Sequence, residues 1–129
     1  MRHLVSAMLV IVALIHLMPL SGALGSERLA ALYGVAFDEP NLSILMRHRA
    51  ILFGVLGSFL LVAAFRPELQ VVAVAIGFVS VVSFLYLAWS VGGYNVRIGR
   101  VVIADVVALL CLLVGAAALW YLRRPAATP

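Results

Sequence analysis

Four long apolar stretches dominate the chain, and short polar or helix-breaking segments separate them. They cover about residues 4–20, 41–65, 69–91 and 98–122. Because a hydrocarbon layer of about 30 Å needs about 20 apolar residues in a helix, these lengths are typical of membrane spans. The pattern predicts an all-α fold, an integral membrane four-helix up-down bundle in which residues 1–129 form a single transmembrane domain.

The first connection is the longest and contains a helical segment of its own. Residues Ser26–Tyr33 mix polar and apolar positions, and Gly34 follows as a typical helix stop. We expect this segment to form a short interfacial helix that lies flat on the membrane. Asp38, Glu39 and Pro40 predict the start of the second span, because acids favour the positive end of the helix dipole and proline favours the first turn.

The two ends of the chain support further predictions. Pro19 and Gly22 predict the end of the first span. A cleavable signal peptide is an alternative for this span, since a short basic start, an apolar run and a small-residue stretch precede Ser26. His16 would be unusual in the apolar region of a leader, which favours a retained helix. At the other end, residues 125–129 are predicted to form a disordered tail.

The composition excludes a soluble globular domain. Hydrophobic residues make up 66% of the chain, against about 45–50% in soluble domains. The mean hydropathy is +1.21. Four spans with short connections use nearly the whole length, so no room is left for a soluble catalytic domain. We expect a multi-pass integral membrane protein.

The formal net charge is +4, from nine arginines and five acidic residues. The arginines are scattered among helix ends and loops, so membrane lipids are the expected partners and nucleic acid is not. With both termini on one side, the count is four arginines there against five opposite, which gives no clear orientation. If Arg47 and Arg49 belong to the bundle, the count becomes four against three and favours cytoplasmic termini. Insertion in both orientations, as an antiparallel dimer, is the alternative.

No metal or cofactor site is expected. The three histidines are far apart in the sequence and the carboxylates are few. The single Cys111 is interpreted as a packing residue of the last span, because one thiol can form neither a disulfide within the chain nor a cysteine metal site. A Ser-His-acid motif for nucleophilic catalysis is also not recognisable.

Small residues recur along one face of two spans. Such faces allow helices to pack closely. We expect them to pack within the bundle, with a homo-oligomer interface as the alternative. The second span contributes Ala50, Gly54 and Gly57, and the fourth contributes Ala104, Ala108, Cys111, Gly115 and Ala118.

Polar residues that are unusual in membrane spans come together near one membrane surface. In an up-down bundle, His16, Arg47 and Asp105 reach a similar depth, because each lies about 7 to 10 Å from the end of its span at 1.5 Å per residue. An unpaired carboxylate in an apolar span is costly, so we expect Asp105 to pair with an arginine beside His16. Arg47 is the preferred partner over Arg49. Interfacial anchoring of these charged residues is the alternative.

Residues of the third span and of the loop that follows it complete the predicted site. Ser83, Tyr86 and Ser90 share one helix face, and Tyr94 and Asn95 with Arg97 form a polar rim. Since arginines outnumber Asp105, the site has surplus positive charge at headgroup depth. This suits an anionic amphiphile whose acyl, isoprenoid or quinone-like tail enters the apolar remainder of the bundle. The predicted ligand-binding residues are His16, Arg47, Arg49, Ser83, Tyr86, Ser90, Tyr94, Asn95 and Asp105.

Three short motifs carry a family resemblance. They are Leu32-Tyr33-Gly34, Asn41-Leu42 followed by Arg47-His48-Arg49-Ala50, and Asp105-Val106-Val107. Over most of its length the chain resembles small bacterial four-helix membrane proteins that are broadly DoxX-like, which implies a four-helix bundle of unassigned biochemistry. Some similar sequences are labelled phosphopantetheine adenylyltransferase, but the His-x-Gly-His nucleotide signature of that soluble enzyme does not occur in this sequence.

The leading functional hypothesis is a multi-pass protein of the bacterial inner (cytoplasmic) membrane that binds a lipid-like or anionic amphiphilic molecule in a pocket near one leaflet. One alternative is a membrane-embedded enzyme in which His16 and Asp105 perform acid–base chemistry on an apolar substrate. Another is a small dimeric transporter or channel. Turnover distinguishes the first two, since an enzyme changes the mass of its ligand.

Overall fold

The computed structural model describes residues 1–125, and helices make up nearly all of this range. Two 3-10 segments, Met18–Leu24 and Pro67–Leu69, extend the first helix and precede the fourth. With these extensions, four helices of 23 to 28 residues are long and apolar enough to cross a membrane. The all-α prediction is therefore confirmed, and the four long apolar helices agree with the predicted multi-pass membrane protein. The α-helices are α1 (Arg2–Leu17), α2 (Ser26–Tyr33), α3 (Pro40–Ala64), α4 (Gln70–Val91) and α5 (Val96–Arg123).

The first span is longer than predicted, and most of the predicted C-terminal tail lies outside the described residues. Helix α1 ends at Leu17, and the tighter 3-10 segment carries the span on to Leu24. Proline has no N–H to donate, so Pro19 cannot form the α-helical hydrogen bond and fits the start of the 3-10 segment instead. The first span thus covers residues 2–24 rather than 4–20. Residues 126–129 of the predicted disordered tail lie outside the described residues.

The short helix α2 has the predicted bounds and ends at Gly34, whose φ is +68°. Glycine adopts this left-handed conformation without the steric penalty of a Cβ, and its N–H donates to the carbonyl of Ala30 at 2.8 Å. Leu29 and Tyr33 of α2 are buried together with Phe37 of the following loop. The helix therefore packs onto the ends of the longer helices.

Side chains cap the starts of α3 and α5. The carboxylate of Glu39 accepts hydrogen bonds from the backbone N–H groups of Asn41 and Leu42, at 3.0 and 2.8 Å. With proline as the first residue of α3, this start agrees with the prediction. The Oδ1 atom of Asn95 accepts from the backbone N–H of Ile98 at 2.9 Å, so α5 begins at Val96, two residues before the predicted 98.

Helix α1 lies at the centre of the core and packs against α3 and α5. The small-residue face of α3 is buried, as predicted, because its backbone approaches α1 and the 3-10 segment at Gly54 and Gly57. On α5, Ala108, Gly115 and Ala118 are buried, whereas Ala104 and Cys111 are half-buried. The interior is filled by apolar side chains that are at most 1% exposed, among them Val5, Leu9, Val12, Ala13, Leu60 and Leu112.

Helix α4 packs mainly against α5 and has little contact with α3. Leu112 of α5 lies directly over Gly77, where the two helices approach closely. The weak contact on the other side leaves a groove between α3 and α4. Large apolar side chains such as Val55, Val79 and Leu110 are exposed on the outer faces, as expected for surfaces that face lipid.

Candidate functional site

A cavity of about 450 Å³ lies where the C-terminal half of α2 meets the other helices. The end of α1 with the start of the 3-10 segment, the middle of α3, the N-terminal half of α5 and the C-terminal half of α4 form its remaining walls. Three of the predicted site residues, His16, Arg49 and Asp105, line it together. The other lining residues are Ile15, Met18, Pro19, Ala31, Leu32, Tyr33, Phe53, Phe84, Arg97, Arg100, Val101 and Ala104.

His16 is 2% exposed and has partners for both ring nitrogens. Its Nδ1 lies 2.8 Å from the carbonyl oxygen of Val12, and its Nε2 lies 3.0 Å from the hydroxyl of Ser80. A carbonyl can only accept, so Nδ1 carries the proton of the neutral ring and Nε2 accepts from Ser80. The ring also packs against Phe53, with 5.8 Å between the ring centroids. His16 therefore links α1 to α4.

Arg49 is half-buried and is held by aromatic residues. Its Nη1 donates to the phenol oxygen of Tyr33 at 2.9 Å. The guanidinium carbon lies 4.6 Å from the ring centroid of Phe53 and 5.6 Å from that of Tyr33, within the range of cation–π interactions. This positioning brings a permanent positive charge to the cavity wall between α2 and α3.

Asp105 lines the cavity, but the predicted ion pair with Arg47 is wrong. Within residues 1–125, the pair that lies within 4 Å is Arg66 with Glu68, at 3.6 Å on the exposed turn before α4. Arg47 is exposed, and its Nε donates to the carbonyl of Ala23 at 3.0 Å. Arg47 therefore anchors the 3-10 segment after α1 and does not reach the cavity.

The geometry of α3 explains why the preference for Arg47 failed. Residues two positions apart on a helix are rotated by about 200° around its axis, so Arg47 and Arg49 point in different directions. Arg47 does share the small-residue face with Ala50. At this height, however, that face meets the 3-10 segment rather than α5. Arg49, four residues before Phe53, lies on the face that meets the cavity.

Arg97 and Arg100 also line the cavity, and the sequence argument missed this role for both. Helical spacing gave only a partial signal. At about 100° per residue, Arg97 lies about 80° around the helix from Asp105 and Arg100 about 140°, so only Arg97 comes near the same face. Arg97 was expected only at a polar rim, and Arg100 was counted only for the orientation of the chain.

Asn95 and Arg97 fix the C-terminal end of α2. The amide nitrogen of Asn95 donates to the carbonyl of Tyr33 at 2.7 Å, and Arg97 donates to the carbonyl of Ala31. The last carbonyls of a helix lack partners within it, so these bonds satisfy the end of α2. Asn95, predicted as a ligand-binding residue, instead serves as a structural cap for two helices.

The remaining predicted residues do not reach this cavity. Ser90 is exposed and donates to the carbonyl of Leu87 in its own helix at 3.3 Å. Tyr86 is exposed beside Trp89, with 6.3 Å between their ring centroids. Tyr94 is exposed before the start of α5. The shared face of α4 proposed for Ser83, Tyr86 and Ser90 therefore turns away from the main cavity.

A second, more open cavity of about 320 Å³ occupies the groove between α3 and α4, and Ser83 lines it. The hydroxyl of Ser83 donates to the carbonyl of Ser80 at 3.0 Å. Arg49, Phe53 and Phe84 line both cavities, so the two spaces adjoin each other. The aromatic residues gave no distinctive sequence signal, because phenylalanine is common in any apolar span. The other lining residues are Leu52, Leu56, Ser80 and Leu87.

The main cavity is lined by three arginines and one acid among mostly apolar walls, with Arg49 half-buried and Arg97 and Arg100 exposed. Such a site can hold an anionic group through charge-assisted hydrogen bonds. Acid–base chemistry by His16 together with Asp105 is less well matched, because both histidine nitrogens are already engaged within the protein. Among residues 1–125, no group of three or more His, Cys, Asp or Glu side chains is placed to hold a metal ion.

The charged residues and apolar walls of the cavity are its distinguishing features. Comparisons with protein-family models, with curated proteins and with solved structures find no match to this chain.

Proposed function

We propose that this protein is a membrane-embedded binding protein for an anionic amphiphile. The observation that supports the proposal is the surplus of positive charge in a mostly apolar cavity, which half-buried Arg49 and exposed Arg97 and Arg100 line together with a single acid, Asp105. Charged residues within membrane helices are costly and mark functional sites. Guanidinium groups suit this role because their planar donors match the oxygens of phosphate and carboxylate groups.

We further propose that the four spans run up and down through a bacterial cytoplasmic membrane, with the cavity near one leaflet. The cavity is lined by the short helix α2 and by Arg97 and Arg100 near the start of α5, which supports a position near the depth of the headgroups. When the three arginines that line the cavity are assigned to the bundle, Arg28 and Arg47 are left on that side. Four arginines at the other side then favour cytoplasmic termini.

Native mass spectrometry of gently purified protein tests the binding function. The wild type is expected to retain an anionic lipid-like molecule that Arg49→Gln loses, because glutamine keeps hydrogen-bonding capacity and removes the positive charge. Arg66→Gln is the matched control, since Arg66 is an exposed arginine on the turn before α4, away from the cavity. It should retain the molecule as the wild type does.

Two results would overturn the proposal. One is equal retention of the same lipids by wild type and Arg49→Gln, which would show that the cavity charge does not select the ligand. The other is conversion of the bound molecule to a new mass during incubation, which would favour a membrane-embedded enzyme.

A further inference from the structure

We propose that the headgroup is a phosphomonoester and that its single alkyl or isoprenoid chain leaves the cavity sideways, between α3 and α4, into the bilayer. This inference rests on the proposed function and specifies its ligand. It depends on two features of the structure: the number of charges in the main cavity and the groove that adjoins it.

The charges favour a headgroup with more than one negative charge. The three arginines that line the cavity and the carboxylate of Asp105, when ionised, leave a surplus of two positive charges. A carboxylate, a sulfate ester or a phosphodiester carries one negative charge and would leave part of this surplus unbalanced. A phosphomonoester carries about −1.5 to −2 at pH 7 and presents three acceptor oxygens, which matches three arginines better.

The packing of the bundle excludes the route that the sequence suggested for the tail. A chain that continued from the headgroup into the middle of the bundle would meet Val12, Ala13 and Leu112, which are at most 1% exposed. Interiors packed to this degree do not accept additional methylene groups without a large distortion. The chain of the ligand must therefore leave the cavity by another opening.

The groove between α3 and α4 supplies that opening. Arg49, Phe53 and Phe84 line both the cavity and the groove, so a molecule can extend from one into the other without crossing a packed layer. Leu52, Leu56 and Leu87 give the groove apolar walls, and α3 and α4 have little contact with each other. A headgroup beside Arg49 would thus place the first carbons of its chain against Phe53 and Phe84.

Binding of simple amphiphiles to protein in a neutral maltoside detergent tests the headgroup. Monododecyl phosphate is expected to bind about tenfold or more tightly than dodecyl sulfate, which has the same chain and one charge. Equal affinities for the two anions, both above that of a neutral dodecyl compound, would overturn the phosphomonoester inference and leave the proposed function intact. No preference for either anion over the neutral compound would overturn both.

The same titration with inorganic phosphate distinguishes a lipid from a free anion. Binding of inorganic phosphate as tightly as monododecyl phosphate would show that the alkyl chain contributes nothing. The proposal of an amphiphilic ligand would then be wrong. We expect inorganic phosphate and butyl phosphate to bind much more weakly than monododecyl phosphate, because they lack the apolar contacts of the groove.

Bulky substitutions in the groove test the route of the chain. Leu87→Trp, and independently Leu52→Trp on the opposite wall, are expected to weaken monododecyl phosphate several-fold and to leave butyl phosphate unchanged. Val79→Trp is the matched control, because Val79 is an exposed residue of α4 that does not line the groove. Unchanged affinity for monododecyl phosphate in both groove variants, each with wild-type thermal stability, would overturn the lateral route.

Discussion

The Nη1 atom of Arg49 donates a hydrogen bond to the phenol oxygen of Tyr33 at 2.9 Å, and this bond joins α3 to the short helix α2. Tyr33 is buried with Leu29 and Phe37, so its hydroxyl is held in place by the packing of its ring. The carbonyl of the same residue accepts a hydrogen bond from Asn95. One tyrosine therefore connects α2 to both α3 and α5 and sets the position of the cavity charge.

Tyr33→Phe should lower stability and weaken anion binding, because it removes the acceptor for Arg49 and keeps the aromatic ring. The expected loss is about 1 kcal/mol, which is typical of one part-buried hydrogen bond. Thermal unfolding in detergent measures it. Tyr94→Phe is the control, because it removes the hydroxyl of an exposed tyrosine near the start of α5. It should change the unfolding temperature very little. Equal effects of the two substitutions would contradict the role given to the Tyr33 hydroxyl.

The hydrogen bond between His16 and Ser80 allows a test with a matched pair of serines. Ser80→Ala removes the donor to Nε2 and leaves a buried ring nitrogen without a partner, which costs about 1–3 kcal/mol. Ser83→Ala removes an exposed hydroxyl that bonds only a carbonyl of its own helix, so about 0.5 kcal/mol or less is expected. Chemical or thermal unfolding in detergent compares them. If Ser80→Ala lowers the free energy of unfolding no more than Ser83→Ala does, the structural role assigned to His16 is contradicted.

The cap at the start of α3 predicts a dependence of stability on pH. Hydrogen bonds from the backbone N–H groups of Asn41 and Leu42 hold the pKa of Glu39 below its ordinary value of 4.5. Because the folded-state pKa lies below that of the unfolded chain, the contribution of the ionised carboxylate is fully present above about pH 4.5. It is lost as the pH falls through the folded-state pKa.

Glu39→Gln is therefore expected to reduce the part of the acid destabilisation that comes from this cap. Unfolding temperatures at about pH 6 and about pH 3 measure the change, and the difference should be smaller in the variant than in the wild type. Glu27→Gln removes one negative charge from the first turn of α2 and controls for net charge. An identical pH dependence in the wild type and Glu39→Gln would show that the cap does not contribute.

The existence of four spans, the start of α3 and the end of α2 followed from the sequence because they depend on local rules. Proline after two acids predicts the start of α3, and Gly34 predicts the end of α2, whatever the rest of the chain does. The choice between Arg47 and Arg49 depended instead on which neighbour each helix face meets. That neighbour was a 3-10 segment near Ala23, a feature that the apolar pattern does not show.

The composition of the cavity was also only partly predictable. His16 and Asp105 were recognisable because polar residues are rare in apolar spans. Arg97 looked like a loop residue, and α5 includes it because the side chain of Asn95 caps the helix before Val96. Arg100 lay inside the predicted span but was counted only for the orientation of the chain. The groove exists because α4 does not pack closely against α3. The pattern of apolar residues in the two helices does not predict how closely they approach each other.

The close approach of α3 to α1 predicts opposite effects for two glycine substitutions. A Cβ at Gly57 would lie 2.7 Å from Cγ of Leu17 and 3.1 Å from the backbone carbonyl oxygen of Ala13. Leu17 can move, but the backbone of α1 cannot without disturbing the core, so Gly57→Ala should cost about 1–3 kcal/mol.

At Gly99, near the start of α5, a Cβ would lie 3.8 Å from the ring of Tyr94, which is ordinary contact. Gly99→Ala should therefore stabilise the protein by about 0.5–1 kcal/mol, because alanine favours the helix. Unfolding of both variants in the same detergent tests the pair, and a Gly57→Ala variant as stable as the wild type would mean that α1 and α3 are packed less closely than described.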